Sequence, residues 1–455
     1  MSDSAERGDD GAIVQHSVVR LGEPSAKYLV KDQSKNLGAG SPPSEWAVKP
    51  LGELSEFITS GSRGWASYYT EHGATFIRSQ NILKGQLDFS DHQCVVPPVG
   101  SEGSRTRVEL GDLLITITGN SVGNVAYVDH HLGEAYISQH VGLVRLKDSE
   151  SAAYVCRFLS SGAPGNAQIV SSQSGQSKPG LNLTNLRDFL VAVPPKEEQR
   201  AIATALSDVD ALIAGLERLI AKKRDIKQAA MQRLLTGQTR LPGFSGEWVP
   251  RRLGQLGVFL KGSGIKRDQA LSGELPCVRY GELYTVHSEV VRTFHSRISP
   301  QVAATATRIH AGDLLFAGSG ETKAEIGKCA AMALQTEAYA GGDIVILRLR
   351  SGDPSFFGYL LNTPAVACQK ANLGQGDAVV HISASALSSI EVKVPSVDEQ
   401  TAIATVLSDM DNDLATLESR LAKTRAIKQG MMQELLTGRT RLVAPGAPQH
   451  PQEPI

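Results

Sequence analysis

The chain has 455 residues, 41% of them hydrophobic, and carries 46 Lys and Arg against 47 Asp and Glu, a formal charge of −1. That length suits about two to four soluble domains, and the even balance excludes a uniformly basic nucleic-acid-coating protein, so any DNA contact has to come from selected loops. No apolar run is long enough to cross a bilayer, residues 1–11 are no signal peptide, and five scattered cysteines without a C-x-x-C exclude a disulfide framework or a cysteine zinc site and point to the reduced thiols of a cytoplasm.

In chain order, residues 1–44 form a polar leader that matches nothing later, with one strand expected at 13–21. A first globular block, 45–194, opens at Glu45-Trp46 and closes near Pro194-Pro195. It reads as mixed α+β, with β-rich runs at 74–82, 113–117 and 136–146 and a helical stretch at 152–159. A long helix is expected over 195–237, then a linker, 238–246. The second block, 247–394, opens at Glu247-Trp248, with β-rich runs at 278–284 and 344–349 and a helical stretch at 356–371. A second long helix is expected over 395–438, followed by a Pro-rich tail, 439–455, with no pattern of a packed element.

The two halves repeat. Glu198-Gln199 through Asp208-Val209-Asp210 returns as Glu399-Gln400 through Asp409-Met410-Asp411, and Leu234-Leu235-Thr236-Gly237-Gln238-Thr239-Arg240-Leu241 returns as Leu435-Leu436-Thr437-Gly438-Arg439-Thr440-Arg441-Leu442. Over 195–241 and 396–442 there are 28 identities in 47 positions at a constant offset of 201. So long a period is a duplicated half, with a pseudo-twofold plan, and no solenoid. Within the blocks, Gly111-Asp112-Leu113-Leu114 answers Gly312-Asp313-Leu314-Leu315, while most else diverges. Ile202, Leu206, Val209, Ile213, Leu216 and Ile220, and likewise Ile403, Leu407, Met410, Leu414, Leu417 and Leu421, step by four and three, the spacing of a coiled-coil seam. Beyond them Ile226, Leu234, Ile427 and Leu435 are expected to continue the seam in a shifted phase. Pro195 fits a first helical turn, Ser396-Val397-Asp398-Glu399 has capping-box spacing, and Gly237 and Gly438 offer left-handed stops. The fold class expected is α+β: two globular domains alternating with two long helices that pair as an antiparallel coiled coil.

Catalytic motifs fail on inspection. Gly119-Asn120-Ser121-Val122-Gly123 has the form of a nucleophile elbow, but a strand-like run follows where a helix is required, and the second copy reads Gly320-Glu321-Thr322-Lys323-Ala324. Asp208-x-Asp210 and Asp409-x-Asp411 lie on helices, where two residues apart means about 200° of rotation, so the carboxylates cannot share an ion. There is no P-loop, no Asn/Asp-Pro-Pro-aromatic tetrad of an amino-directed methylase and no paired-His cluster; His130-His131 reads as a loop pair. We expect no catalytic residue, no metal and no cofactor on this chain.

Binding remains. Loops set polar side chains beside glycines: Ser62 and Arg63; Arg78, Gln80 and Asn81; Asn120 and Ser121; Gln173, Gln176 and Lys178; and in the second block Lys261, Ser263, Lys266 and Arg267; Arg279 and Tyr280; Glu321 and Lys323; Gln375. Arg and Lys reach guanine edges or phosphates, and Asn and Gln match adenine edges. Taken singly, these are also what ordinary polar surface loops look like. The near-neutral charge leaves a protein-binding scaffold with two recognition lobes as the alternative to a DNA reader.

The opening Pro194-Pro195-Lys196-Glu197-Glu198-Gln199, the closing Leu234 to Leu241 continuing into Pro242-Gly243-Phe244, the following Trp248 with Leu253-Gly254, and the second closing at Leu435 to Leu442 together resemble the specificity (S) subunit of type I restriction–modification systems, over about 45–442. The resemblance implies two target recognition domains, each reading one half of a split, asymmetric site in double-stranded DNA. It implies two helices paired antiparallel as a spacer. It also implies two modification subunits, carrying the methylase chemistry and S-adenosylmethionine, docked on this frame, which two motor–nuclease subunits can join. The leader lies outside the pattern, and Pro395-Ser396 replaces the paired prolines of the first copy.

Overall fold

The computed structural model describes residues 41–98, 100–173, 180–376 and 378–444, so the strand expected at 13–21 and most of the tail lie outside the described residues. The chain divides into two units, one formed by residues up to Asp210 together with those from Ala426 on, the other by Ala211–Arg425. Each long helix therefore contributes one stretch to each unit.

In the first unit, apolar strands build two four-stranded sheets. One is antiparallel, in the order Ser55–Ser60, Val141–Leu146, Leu113–Thr116, Val125–Tyr127. The other runs Tyr69–Thr70, Cys94–Val95, Ala74–Ile77, Ala135–Ile137, its last pair parallel. The domain closes on itself through Ala47–Pro50 paired antiparallel with Leu190–Val193, so its start and end lie side by side. The helix expected at 152–159 is there, Ala152–Leu159, with Tyr154, Val155, Phe158 and Leu159 buried; the Tyr154 hydroxyl donates to the Ala192 carbonyl at 2.7 Å.

The second unit repeats the plan with a five-stranded sheet, Gly257–Lys261, Ile344–Leu349, Asp313–Ala317, Cys329–Met332, Val290–Val291, and a four-stranded one, Ser296–Ile298, Leu275–Val278, Ala338–Ala340, Thr307–Ile309. Val249–Arg252 pairs with Glu391–Val394 as the closing ribbon. Two expectations are corrected here. The run at 278–284 is not one strand: Leu275–Val278 ends it, and Tyr280–Thr285 is a helix with Glu282 and Leu283 inward. The stretch at 356–371 is two helices, Pro354–Leu360 and Pro364–Leu373, because Pro364 has no N–H to continue the first and instead starts the second.

The Gly-Asp-Leu-Leu echo has a structural cause. Asp112 accepts two hydrogen bonds from the Arg145 guanidinium, at 2.9 and 2.8 Å, and one from the Glu109 amide at 2.7 Å. Asp313 does the same with Arg348, at 2.9 and 2.8 Å, and the His310 amide at 2.9 Å. Both carboxylates are buried, so each needs a guanidinium fork to offset desolvation. Burial still raises Asp112 above the usual carboxylate range, against the pull of Arg145.

The long helices are Lys196–Leu234 and Val397–Leu435. They pair antiparallel within each unit. In the second, Glu217 meets Arg425 at 2.6 Å, Arg224 meets Glu418 at 2.5 Å and Lys227 meets Asp411 at 2.6 Å, the partner number falling as the first rises. In the first, Lys428 meets Asp210 at 2.6 Å. Shifted by 201, Glu217–Arg425 becomes Glu418–Arg224 and Asp210–Lys428 becomes Asp411–Lys227, so these ion pairs come as twins, while Lys223–Asp413 has no counterpart at Thr424 and Leu212. Ile202, Leu206, Leu216, Ile220, Ile403, Leu407 and Leu414 are buried; Val209, Ile213, Met410, Leu417 and Leu421 are half-buried.

Of the positions expected to continue the seam in a shifted phase, Leu234 and Leu435 are buried, and they lie in the unshifted register. Ile226 and Ile427 are exposed, 46% and 50%. The four-and-three register continues through Lys227 and Leu234, and through Thr424, Lys428 and Leu435, with Met231 and Met432 buried one residue out of it. Each lysine lays its stem on the seam and delivers its ammonium to an aspartate, which apolar periodicity alone cannot reveal. The second aspartate of each Asp-x-Asp is thus an ion-pair hub, and the first, Asp208 or Asp409, is exposed.

Candidate nucleic-acid interface

Two kinds of site recur in both units: a junction where helix ends meet the domain, and a cluster of loops at one end of the strands.

The junction gathers the signature residues. Glu198 is fully buried and accepts from Arg441 at 2.5 and 2.6 Å and from the Trp46 indole N–H at 3.2 Å, while the Arg441 guanidinium lies 5.7 Å from the Trp46 ring. In the second unit Glu399 accepts from Arg240, at 2.5 Å twice, and Arg240 lies 5.9 Å from Trp248. Gln199 and Gln400 each donate to the carbonyl of Pro194 or Pro395, at 2.8 and 3.0 Å, fixing the first turn. Gly237 and Gly438 both stop their helices at φ +71°, in the left-handed region, and turn the chain so that Arg240 and Arg441 point back at the carboxylates. The Ser396 hydroxyl does cap the Glu399 amide, at 3.4 Å, but the Glu399 carboxylate goes to Arg240 instead of completing a box.

In the first unit the loops after four strands are tied together by hydrogen bonds. The Gly61 amide donates to the Val141 carbonyl at 3.3 Å, Ser138 to Ile77 at 2.9 Å and Ile117 to His140 at 2.9 Å, while Thr118 Oγ1 lies 2.5 Å from His140 Nδ1. In the second unit Gly262 donates to Ile344 at 2.8 Å, Gly341 to Val278 at 2.9 Å and Gly318 to Asp343 at 2.7 Å, and Ser319–Gly320 pairs with Val380–His381.

These clusters bring the expected residues together but in two conditions. Some are spent within the loops. Arg78 pairs with Asp91 at 2.9 Å, holding that carboxyl below its usual range, and Gln80 also donates to Asp91. Asn81 is 2% exposed and bonds the Arg78 amide and the Asp88 and Asp91 carbonyls. Ser62 accepts from Arg105 at 2.6 Å, Gln173 donates to Val122 at 3.3 Å and Ser263 donates to the Thr305 carbonyl at 3.0 Å. Arg279 donates to Glu282 and to Ser296, and Ser121 is half-buried beside its loop's turn. Others are exposed: Arg63, Asn120, Lys261, Lys266, Arg267, Tyr280, Glu321, Lys323 and Gln375. Gln176 and Lys178 lie outside the described residues. Sequence reasoning missed Arg105, Gln139, His140, Tyr284, Glu325 and His381. The repeat offset was the one signal that could have found part of this set, since Thr118 and Gly180, which bridge, map onto Ser319 and His381, which pair.

The loop at Gly119 joins strands Leu113–Thr116 and Val125–Tyr127, so it is a β-turn-β connection and no nucleophile elbow. Among the described residues no three His, Cys, Asp or Glu side chains converge as a metal site, and no helix is long and apolar enough to cross a membrane.

The chain is thus a duplicated α+β domain with paired antiparallel long helices and a polar loop cluster on each copy. The family model described as the type I restriction modification DNA specificity domain matches twice, at 43–223 and 245–425, which is more than half of the chain; the chain belongs to that family. The family is the specificity component of type I restriction–modification enzymes and not a catalytic one. Among similar proteins is the type I restriction enzyme MjaVIII specificity subunit of Methanocaldococcus jannaschii, 22% identical over 291 residues, 60% of this chain and 67% of that protein. The provisionally named MjaX specificity subunit of the same organism is 23% identical over 214 residues, 46% of this chain, which spans 50% of that relative's length. The crystal structure of the type I restriction–modification system S subunit from M. genitalium has the same fold, with a TM-score of 0.56 at 15% identity, covering 86% of this chain and 96% of that one.

Proposed function

We propose that this chain reads DNA sequence for a type I restriction–modification complex in the cytoplasm. Residues 45–194 and 247–394 are its target recognition domains, each taking one half of an asymmetric bipartite site. The helices at 195–237 and 395–438 set the half-site spacing and dock two methyltransferase subunits, which bring S-adenosylmethionine. Two motor–nuclease subunits can join them.

The observation that carries this reading is a contrast inside one chain. The helix ion pairs and the Trp–Glu–Arg junctions are near copies, as surfaces offered to the same kind of partner would be. The loop clusters differ: Arg63, Ser79 and Asn120 stand where Gly264, Tyr280 and Glu321 stand in the other unit. Of the loop residues, the exposed Arg63, Asn120, Lys261, Lys266, Arg267, Tyr280, Glu321, Lys323 and Gln375 meet base edges and phosphates. Ser62, Arg78, Gln80, Asn81, Ser121, Gln173, Ser263 and Arg279 hold the loops in shape.

The test is methylome sequencing of a host carrying this chain with its partner subunits, beside one in which 247–394 is replaced by an unrelated recognition domain. One half of the methylated motif changes and the other stays. A change in both halves, or in neither, contradicts the reading. Binding of the assembled complex falls steeply on a log–log plot against salt if phosphates are contacted; a flat plot favours a protein-binding scaffold.

A further inference from the structure

The second loop cluster contains a cleft of about 460 Å³ walled by Tyr280, Tyr284, Thr285, Glu321, Glu325 and Val379. Its hydroxyls are largely spoken for. Tyr284 donates to the Ser319 carbonyl at 3.1 Å and Thr285 to the Gly281 carbonyl at 3.0 Å. A side chain at position 320 would come within 2.7 Å of the Tyr284 hydroxyl, so Gly320 is what lets that tyrosine lie against the loop. Burial, with Glu325 and Tyr280 nearby, pushes the Tyr284 phenol up to about 12, so it stays a donor at neutral pH. Glu325 accepts from Thr322 at 3.3 Å, whereas the exposed Glu321 carboxylate is engaged by no side chain among the described residues.

Among the described residues no lysine or arginine lines this cleft. Its free chemistry is that of an acceptor on an aromatic wall, which repels phosphate and the acceptor-only edge of guanine. It suits an exocyclic amino group. Adenine presents an acceptor, N7, beside its amino group and so asks for a donor as well; cytosine presents the amino donor N4. A carboxylate accepts only, while an amide both donates and accepts. At the offset of 201, Tyr280, Tyr284 and Glu321 correspond to Ser79, Leu83 and Asn120, so the exposed acid is replaced by an amide in the other domain.

Resting on the DNA-reading function proposed above, we infer that Glu321 is a specificity-determining residue of the second domain, accepting from cytosine N4 in the major groove, with Tyr280 packed along the same base step. Its counterpart Asn120 gives the first domain an adenine-compatible contact at the equivalent position.

The test uses the assembled methylase complex and methylome sequencing. The wild-type second half-site contains a cytosine that Glu321→Gln shifts towards adenine, by roughly tenfold or more in relative methylation, while the first half-site is unchanged. Glu321→Asp keeps cytosine, and Glu321→Ala relaxes that position. A second half-site without cytosine overturns the inference, as does a motif unchanged by Glu321→Gln, or an equal loss at every sequence. If Glu321→Gln prevents assembly, the Glu321→Asp and Glu321→Ala pair decides by the same readout. Replacement of 247–394 separates the two ideas. A changed half-site with an inert Glu321 sinks this inference alone, whereas an unchanged half-site sinks the reading beneath it.

Discussion

Replacing Arg441 by Met isolates what the junction of the first unit does. The substitution keeps an apolar stem against Trp46 and removes the guanidinium. Glu198, which has no exposed surface, then loses the donors at 2.5 and 2.6 Å and keeps only the Trp46 N–H at 3.2 Å. Breaking a buried pair on one side costs about 3–5 kcal/mol. The Arg441 side chain is 18% exposed, so water reaches part of the gap and the lower end, about 3 kcal/mol, applies. Adding Glu198→Gln removes the stranded charge and should recover about 2 kcal/mol of that loss. The assay is urea unfolding followed by Trp46 fluorescence, with Trp65 and Trp248 replaced by Phe in all variants, because a chain with two units need not unfold in one step. A loss under about 1 kcal/mol for Arg441→Met, or losses that simply add in the double variant, would refute the reasoning.

Other consequences follow from burial and charge. Leu216→Asp puts a carboxylate at a buried seam position and costs several kcal/mol, about 3, whereas Leu417→Asp, half-buried, costs less; equal effects on urea midpoints would contradict the seam drawn here. Ile226→Glu and Ile427→Glu are exposed and should move stability by less than about 0.5 kcal/mol. Lys370 is buried, donates to the Gly327 carbonyl at 2.7 Å, and has its ammonium pulled down to about 8, mainly by burial. The unfolded lysine titrates near 10.4. Between these values the unfolded state binds more protons, so stability rises with pH from about 8 to about 10 and the benefit is absent below 8, an effect of about 2–3 kcal/mol. Lys370→Met should flatten that rise relative to wild type in pH-dependent unfolding; identical slopes would contradict it.

Much of the fold is legible in the sequence because it rests on local pattern. The apolar runs that became Leu113–Thr116 and Ile344–Leu349, the helix Ala152–Leu159 and the glycine stops at 237 and 438 needed only their own neighbourhoods. The misses are of another kind. Tyr280–Thr285 looks β-rich, yet Glu282 caps Arg279 from within a helical turn, which tertiary context decides. The seam beyond Ile220 runs through lysines, whose burial depends on aspartates on the other helix. Trp46, Glu198 and Arg441 were visible as signature pieces, but nothing local says that residues 152 and 243 positions apart share one carboxylate. The loop residues were named by chemical type. Type does not distinguish Asn81, consumed by three backbone groups, from Asn120, which stays exposed. Aromatic and acidic walls such as Tyr284 and Glu325 come together only when the strands are in place.

The most direct measurement builds a symmetric protein from this asymmetric one. Residues 247–394 are replaced by a second copy of 45–194, the helices are left as they are, and the methylome is read with the native partner subunits. If two interchangeable readers sit on a duplicated frame, the methylated motif becomes a palindrome made twice from the first half-site, with the spacer unchanged. A motif that stays asymmetric in a fully assembled complex, or that retains any part of the second half-site, would contradict the account.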